Sequence, residues 1–238
     1  MLRRIVRVLK RIPFDLGQYE LRRTTKGKKI AFALVGPGEE KKALDVGCRE
    51  GYWTEKLKSK GYQVVAIDIE PHYAEGLRVD ANQALPFAES EFDLVWCSEV
   101  IEHLNNPAFT IAEFKRVLKP GGSLVMTTPN QKFWIFRLIE ALGISMQRLE
   151  NETHTYFFSY SDIRALAGDG DFYGYFPYLL LKMRISGAAP LLSPTIVSRH
   201  LNDKRKASAI ASPAGIHSQP LVESYPDAAA QLRTAEDR

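Results

Sequence analysis

Two carboxylates and two glycines stand at spacings that can hold a ligand. They are Asp45, Gly47 and Gly51 within residues 43–53, and Asp68 at the end of residues 64–68. The first stretch reads as a buried strand carrying an acid near its end, a glycine turn and the start of a helix. The second is again a strand closed by an acid. Glycines let a ligand approach the backbone, and a carboxylate presents two acceptors to the two hydroxyls of a ribose. The pair points to a cofactor that carries adenosine.

Spacing narrows the cofactor. A dinucleotide fingerprint needs Gly-x-Gly-x-x-Gly, which aims helix N–H groups at a pyrophosphate. Here Arg49 lies between the glycines and Asp45 precedes them, and no Gly-Lys-Ser/Thr phosphate loop occurs in the chain. A carboxylate at Asp45 repels a pyrophosphate and suits a ligand bearing an ammonium and a sulfonium. The pattern resembles Asp-x-Gly-x-Gly-x-Gly, the first motif of the class I S-adenosylmethionine-dependent methyltransferases. The resemblance continues through Leu85-Pro86-Phe87, Glu91-Phe92-Asp93-Leu94-Val95 and Glu99-Val100-Ile101-Glu102-His103-Leu104. It ends with Phe114-Lys115-Arg116-Val117-Leu118-Lys119-Pro120-Gly121-Gly122, residues 124–128 and Pro129-Asn130. Five ordered motifs across residues 43–130 are strong where one glycine loop is weak. The subgroup that fits best contains the ubiquinone-biosynthesis methyltransferases and related small-molecule and glycan-pathway enzymes.

The resemblance implies an enzyme with S-adenosylmethionine as cofactor. Asp45 is expected to hold the amino group of its methionine part, with Gly47 and Gly51 bringing backbone close, and Asp68 to chelate the ribose. Asp80 and Ala81 sit where the family places an acid for the adenine amino group, and Ile69 and Leu85 could flank the ring. Cys48 and Cys97, each at a predicted strand end, read as small apolar pocket residues of a reducing compartment. Arg49 departs from the family, which has a glycine there; its side chain must turn away from the cofactor, or the loop must widen.

Three readings of residues 99–103 stand side by side. The motif shapes the pocket; or His103, aided by Glu102, is a general base for a hydroxyl acceptor; or Glu99, Glu102 and His103 share a helical turn and bind a metal with His154. Two carboxylates suit a hard cation such as Mg, while imidazoles leave zinc or manganese open. A base or metal at this point leans the chemistry toward oxygen. The acceptor is expected to be small or lipid-linked, because aromatics gather after the fifth strand (Phe133, Trp134, Phe136, Tyr156, Phe157, Phe158, Tyr173, Tyr175 and Tyr178). Two rivals remain: an RNA 2′-O-methyltransferase with a divalent metal, and a non-catalytic cofactor-binding or membrane-docking protein. No nucleic-acid partner is expected, since no RNA-binding module is recognisable.

Residues 43–128 alternate strand and helix, which predicts an α/β fold with a doubly wound, mostly parallel, seven-stranded Rossmann-like sheet. One antiparallel strand is expected near the C-terminus, at residues 195–197. Strands are predicted at 43–47, 63–68, 92–97 and 122–128, and helices at 52–60, 71–77, 107–118, 131–143 and from Ser161 to Ala167. Residues 1–30 form a basic amphipathic N-terminal helix or lid, 31–202 the methyltransferase domain and 203–238 a tail expected to be disordered. On residues 2–12 Leu2, Ile5, Val6, Val8, Leu9 and Ile12 face away from Arg3, Arg4, Arg7, Lys10 and Arg11. That helix either closes over the cofactor pocket or lies on anionic lipid, where each cation contributes about 1 kcal/mol.

Among 238 residues, 45% hydrophobic and 25% charged content with a net charge of +4 is ordinary for a soluble protein. No apolar run approaches a membrane span and no secretory signal is recognisable. The expected location is the cytoplasm, with peripheral attachment to the inner face of the membrane through residues 2–12.

Overall fold

The computed structural model describes residues 24–134, 155–175, 184–186 and 189–203. Expectations placed on residues 2–12, 135–143, His154, Tyr178 and the chain beyond 203 lie outside the described residues. The strands are β1 (Lys42–Val46), β2 (Gln63–Asp68), β3 (Leu77–Arg78), β4 (Phe92–Ser98), β5 (Leu118–Pro129), β6 (Asp171–Tyr175), β7 (Arg184–Ile185) and β8 (Thr195–Leu201). The helices are α1 (Lys26–Leu34), α2 (Tyr52–Lys58), α3 (Pro107–Val117), α4 (Tyr160–Ala167) and α5 (Ala189–Leu192). The sheet has the order β3-β2-β1-β4-β5-β8-β6-β7. Contacts divide the chain into two compact units, one built on Gly36–Cys97 with Leu104–Leu124, the other on Ser98–His103 with Val125–Arg199.

In the first of these units β1 pairs in parallel with β2 and β4, and β2 with β3. Leu44, Val46, Ile67, Leu94, Val95 and Trp96 are buried, the near-continuous apolar run of parallel strands covered on both faces. Helix α3 begins where Asn106 caps the N–H of Phe109 and Pro107 takes the first helical position. Strand β5 starts four residues before the predicted 122. The Asn202 amide explains this, donating to the carbonyls of Lys115 and Leu118 while its backbone exchanges hydrogen bonds with Gly121 and Gly122.

The predicted helix at 71–77 does not form. Pro71 and Gly76 bracket too few residues to propagate a helix. The segment instead turns, with the Gly76 N–H on the Tyr73 carbonyl, and Leu77 enters β3.

In the second unit α4 carries a capping box between Ser159 and Asp162, so the cap lies two residues before the predicted start at Ser161. Strand β6 runs antiparallel to β7 and β8. The sheet therefore has eight strands where seven are predicted. Strand β8 is the antiparallel strand expected at residues 195–197. The additional one, β7, has only two residues, too short to leave a period-2 pattern in the sequence.

Candidate functional site

The loop after β1 is held open by its backbone. Gly47 has φ 77° and Gly51 φ 75°, values natural only to glycine. The N–H groups of Gly47 and Cys48 both donate to the Ile67 carbonyl, at 2.8 and 3.0 Å, which fastens the loop to the end of β2. Asp68 at that end accepts from the Arg49 N–H on Oδ2 at 3.0 Å and from the Glu70 N–H on Oδ1 at 2.9 Å. Both carboxylate oxygens are thereby oriented, each with a second acceptor position for another donor. Ile69, directly after it, is a large apolar side chain left 60% exposed.

Asp45 is only 2% exposed, and its Oδ2 accepts from the Thr54 hydroxyl at 2.6 Å. The acid is thus tied to the first turn of α2. Gly51 caps that helix without a side-chain bond. Burial, then the charges of Asp45 and Asp68, push the Cys48 thiol up to about 12. Cys48 therefore stays an uncharged apolar wall, and Cys97 is fully buried.

On the β3 side Asp80 Oδ1 accepts from the Asn82 N–H and side-chain amide, and the Ala81 carbonyl accepts from Thr110. Leu85 is 3% exposed and packs as core, unlike Ile69. Two residues given no role in the sequence reading fasten this loop. Glu113 accepts from the Leu85 N–H, and the Arg116 guanidinium donates to Glu113 and to the carbonyls of Leu85 and Phe87. Their signal was the i,i+3 opposite-charge pair on one helix face.

In the other unit the hydroxyls of Ser98 and Thr127 lie 2.8 Å apart, and Thr127 donates to Glu99 Oε1 at 2.8 Å. Glu102 is 1% exposed. Its Oε2 accepts from Thr128 at 3.0 Å, and its Oε1 has no hydrogen-bond partner among the described residues. Burial, then the charge of Glu99, raises its carboxyl well above the ordinary range, so it is neutral where most carboxylates are charged. The backbone carbonyl of Glu102 accepts the N–H groups of Thr155 and Tyr156.

The helical turn expected to carry Glu99, Glu102 and His103 together is not there. Only Ile101–His103 is helical, as one 3₁₀ turn, and Glu99 lies outside it at φ 58°. Its carboxylate is directed to Thr127, that of Glu102 to Thr128, and His103 is exposed. Among the described residues no group of three or more His, Cys, Asp or Glu side chains could hold a metal ion. Glu99, Glu102 and His103 form no such group, and His154, the fourth expected donor, lies outside the described residues.

A family model described as a methyltransferase domain matches residues 18–174, well over half of the chain. The chain belongs to the methyltransferase-domain family. Its fold is that of the class I S-adenosylmethionine-dependent enzymes. A SAM-dependent methyltransferase from Thermotoga maritima superposes with a TM-score of 0.59 at 17% identity, covering 74% of this chain and 87% of that one. One from Mesorhizobium loti gives 0.57 at 13% identity, covering 75% and 98%. Among curated relatives, the ubiquinone biosynthesis O-methyltransferase of Pseudomonas aeruginosa is 36% identical over 132 residues, 49% of this chain and 56% of the relative. That of Methylococcus capsulatus is 34% identical over 147 residues, 55% and 62%. The chain thus spans little more than half the length of the curated relatives it matches.

Within this methyltransferase domain Arg49 is the irregular residue, and its backbone explains how it is tolerated. It adopts φ 46°, in the left-handed region that favours glycine, and its guanidinium turns outward to Glu50 at 3.5 Å. A non-glycine residue pays roughly 1–2 kcal/mol there, offset in part by the greater unfolded-state freedom of glycine. Arg49→Gly is expected to stabilise the domain by up to about 1 kcal/mol, since the exposed ion pair contributes little. Thermal unfolding of the two proteins measures it; a lower midpoint for the glycine variant would show that the arginine side chain matters more than its backbone.

Proposed function

We propose that this chain binds S-adenosylmethionine and transfers its methyl group to a small-molecule or lipid-linked acceptor, at oxygen. The observation that carries the reading is Asp68. It stands at the C-terminal end of β2, both oxygens fixed by the N–H groups of Arg49 and Glu70, beside a glycine loop at positive φ. That is a ready receiver for two adjacent hydroxyls. Ile69 would flank the adenine, Asp80 would accept from its amino group, and Asp45 with Thr54 would face the ammonium end. Gly47 and Gly51 would let the ligand lie against backbone.

When bound, the cofactor supplies a methyl group on a sulfonium, already a strong electrophile. The chain's own part is placement and exclusion of water. Fixed amides around Asp68 lower the ordering cost of binding, and the uncharged Cys48 thiol leaves the loop without a competing anion. For a hydroxyl acceptor, the exposed His103 is the general base, with the buried Glu102 beside it in the chain. The oxygen preference and the small or lipid-linked acceptor rest on these two groups and on the relatives named as ubiquinone biosynthesis O-methyltransferases.

Attachment to anionic lipid through residues 2–12 belongs to the same proposal, and among the described residues no helix is long and apolar enough to cross a membrane. Deleting residues 1–12 is expected to abolish sedimentation with anionic vesicles; an intact chain that stays in the supernatant leaves only the closing-over role for that segment.

The test of the reaction is transfer of labelled methyl from S-adenosylmethionine into cell extracts separated into small-molecule, lipid, glycan and RNA fractions. Label should enter the small-molecule or lipid fraction. Label confined to RNA would replace the proposed acceptor, and no label with no cofactor binding would end the enzymatic reading.

A further inference from the structure

We propose that Tyr73 is a positioning residue for the cofactor loop, its ring bracing Gly51 and its hydroxyl latching residues 69–76 to helix α2; the inference rests on the cofactor reading above. Residues 69–76 form no regular element, so each of their backbone and side-chain bonds has to be traced to a partner. The N–H of Glu70 goes to Asp68, and that of His72 to the Arg49 carbonyl at 2.9 Å. Arg49 is the residue whose own N–H holds the other oxygen of Asp68. The segment and the glycine loop therefore grip the same carboxylate from two sides.

Tyr73 completes the grip. A Cβ added to Gly51 would come within 2.2 Å of the Tyr73 ring, so the ring lies directly on the bare Cα of the helix cap. Its hydroxyl donates to Glu55 Oε1 at 2.5 Å and accepts from Lys58 Nζ at 2.8 Å. Lys58 also donates to Glu75 at 2.7 Å and lies 5.4 Å from the centre of the ring. Glu55 and Lys58 stand on α2, the helix that Gly51 opens. Burial works against the Lys58 charge, yet its bonds to Glu75 and Tyr73 hold the ammonium above its ordinary range, so the latch is charged at every physiological pH.

This cluster is a poor investment in stability. Tyr73 is half-buried and its partners are largely exposed, where such pairs contribute little to folding. What it fixes is orientation. Releasing residues 69–76 leaves Asp68 to be ordered again on each binding event, at roughly 1 kcal/mol per residue immobilised.

The experiment is titration calorimetry with S-adenosylhomocysteine and with 5′-methylthioadenosine, which keeps the adenosine and lacks the amino-acid end. Tyr73→Phe is expected to weaken both ligands about threefold, the worth of one hydroxyl's bonds, and Tyr73→Ala about tenfold. Equal loss for the two ligands marks the ribose end, and melting midpoints should fall by no more than a few degrees. Gly51→Ala should bind far more weakly than the unaltered protein, and Gly51→Ala with Tyr73→Ala should recover part of that loss, since the ring it strikes is gone. If Tyr73→Phe and Tyr73→Ala bind both ligands as the unaltered protein does, or lose binding only in step with melting, the positioning role is overturned and the cofactor reading stands. If the unaltered protein binds neither ligand, the cofactor reading fails and takes this role with it.

Discussion

Asp68→Ala should weaken S-adenosylhomocysteine binding about a hundredfold, the largest loss expected from any single substitution in the loop. The carboxylate makes two hydrogen bonds to adjacent hydroxyls, each contributing about 1.5–3 kcal/mol, less what water returns to the vacated site. Folding should change little. The Arg49 and Glu70 N–H groups that Asp68 satisfies are at the surface, where water replaces the lost acceptor. Calorimetry and thermal unfolding on the same preparation separate these effects. Binding equal to that of the unaltered protein would remove Asp68 from the ribose and with it the observation that carries the functional reading.

Asp68→Asn sharpens the test. An amide has one acceptor oxygen and one donor nitrogen, so it can satisfy Arg49 or Glu70 but not both. It should fall between the unaltered protein and Asp68→Ala. Asp80→Ala should cost less than Asp68→Ala, about tenfold, because Asp80 Oδ1 already serves the Asn82 turn and its loss is shared between loop and ligand.

The alternation of strand and helix was legible because parallel strands buried on both faces read as apolar runs, and β1, β2 and β4 carry such runs. The position of Asp68 at the end of β2 was legible because an apolar run closed by an acid marks a strand end, and Ile69 follows it exposed. Elsewhere local pattern misled. Residues 71–77 have helical composition between Pro71 and Gly76, but Tyr73 is held by Glu55 and Lys58 from another element. Glu99, Glu102 and His103 have the spacing of one helical turn, but backbone at φ 58° and threonines from β5 draw the two carboxylates onto separate partners. In both cases tertiary contacts invisible to a local window decided the outcome, and in both the segment adjoins the end of a parallel strand, where open α/β sheets hold their ligands.

Glu102→Gln is expected to raise thermal stability at neutral and alkaline pH, and to do so by an amount that grows with pH. In the unfolded chain the carboxyl ionises near its ordinary value of 4.5, while in the folded chain burial and Glu99 hold its proton well above that. Between those two pH values the folded state binds the proton that the unfolded state has released, so stability falls as pH rises through that window. Glutamine has the same shape and no proton to lose, so its advantage begins near pH 4.5 and increases upward. Within that window each pH unit should add about 1.4 kcal/mol to the gain, at about 2–4 °C per kcal/mol in a domain of this size. Lys28, whose charge favours the ionised form, limits the cost, so Lys28→Met should widen the difference between the Glu and Gln proteins. A residue kept at such expense is expected to serve the reaction: the Gln variant should be more stable and slower in methyl transfer, with cofactor binding unchanged. Melting midpoints of the two proteins that run parallel from pH 4 to pH 9 would show that Glu102 is not held neutral by the fold. A Gln variant that gains stability and keeps full turnover would instead make the carboxyl dispensable to the acceptor.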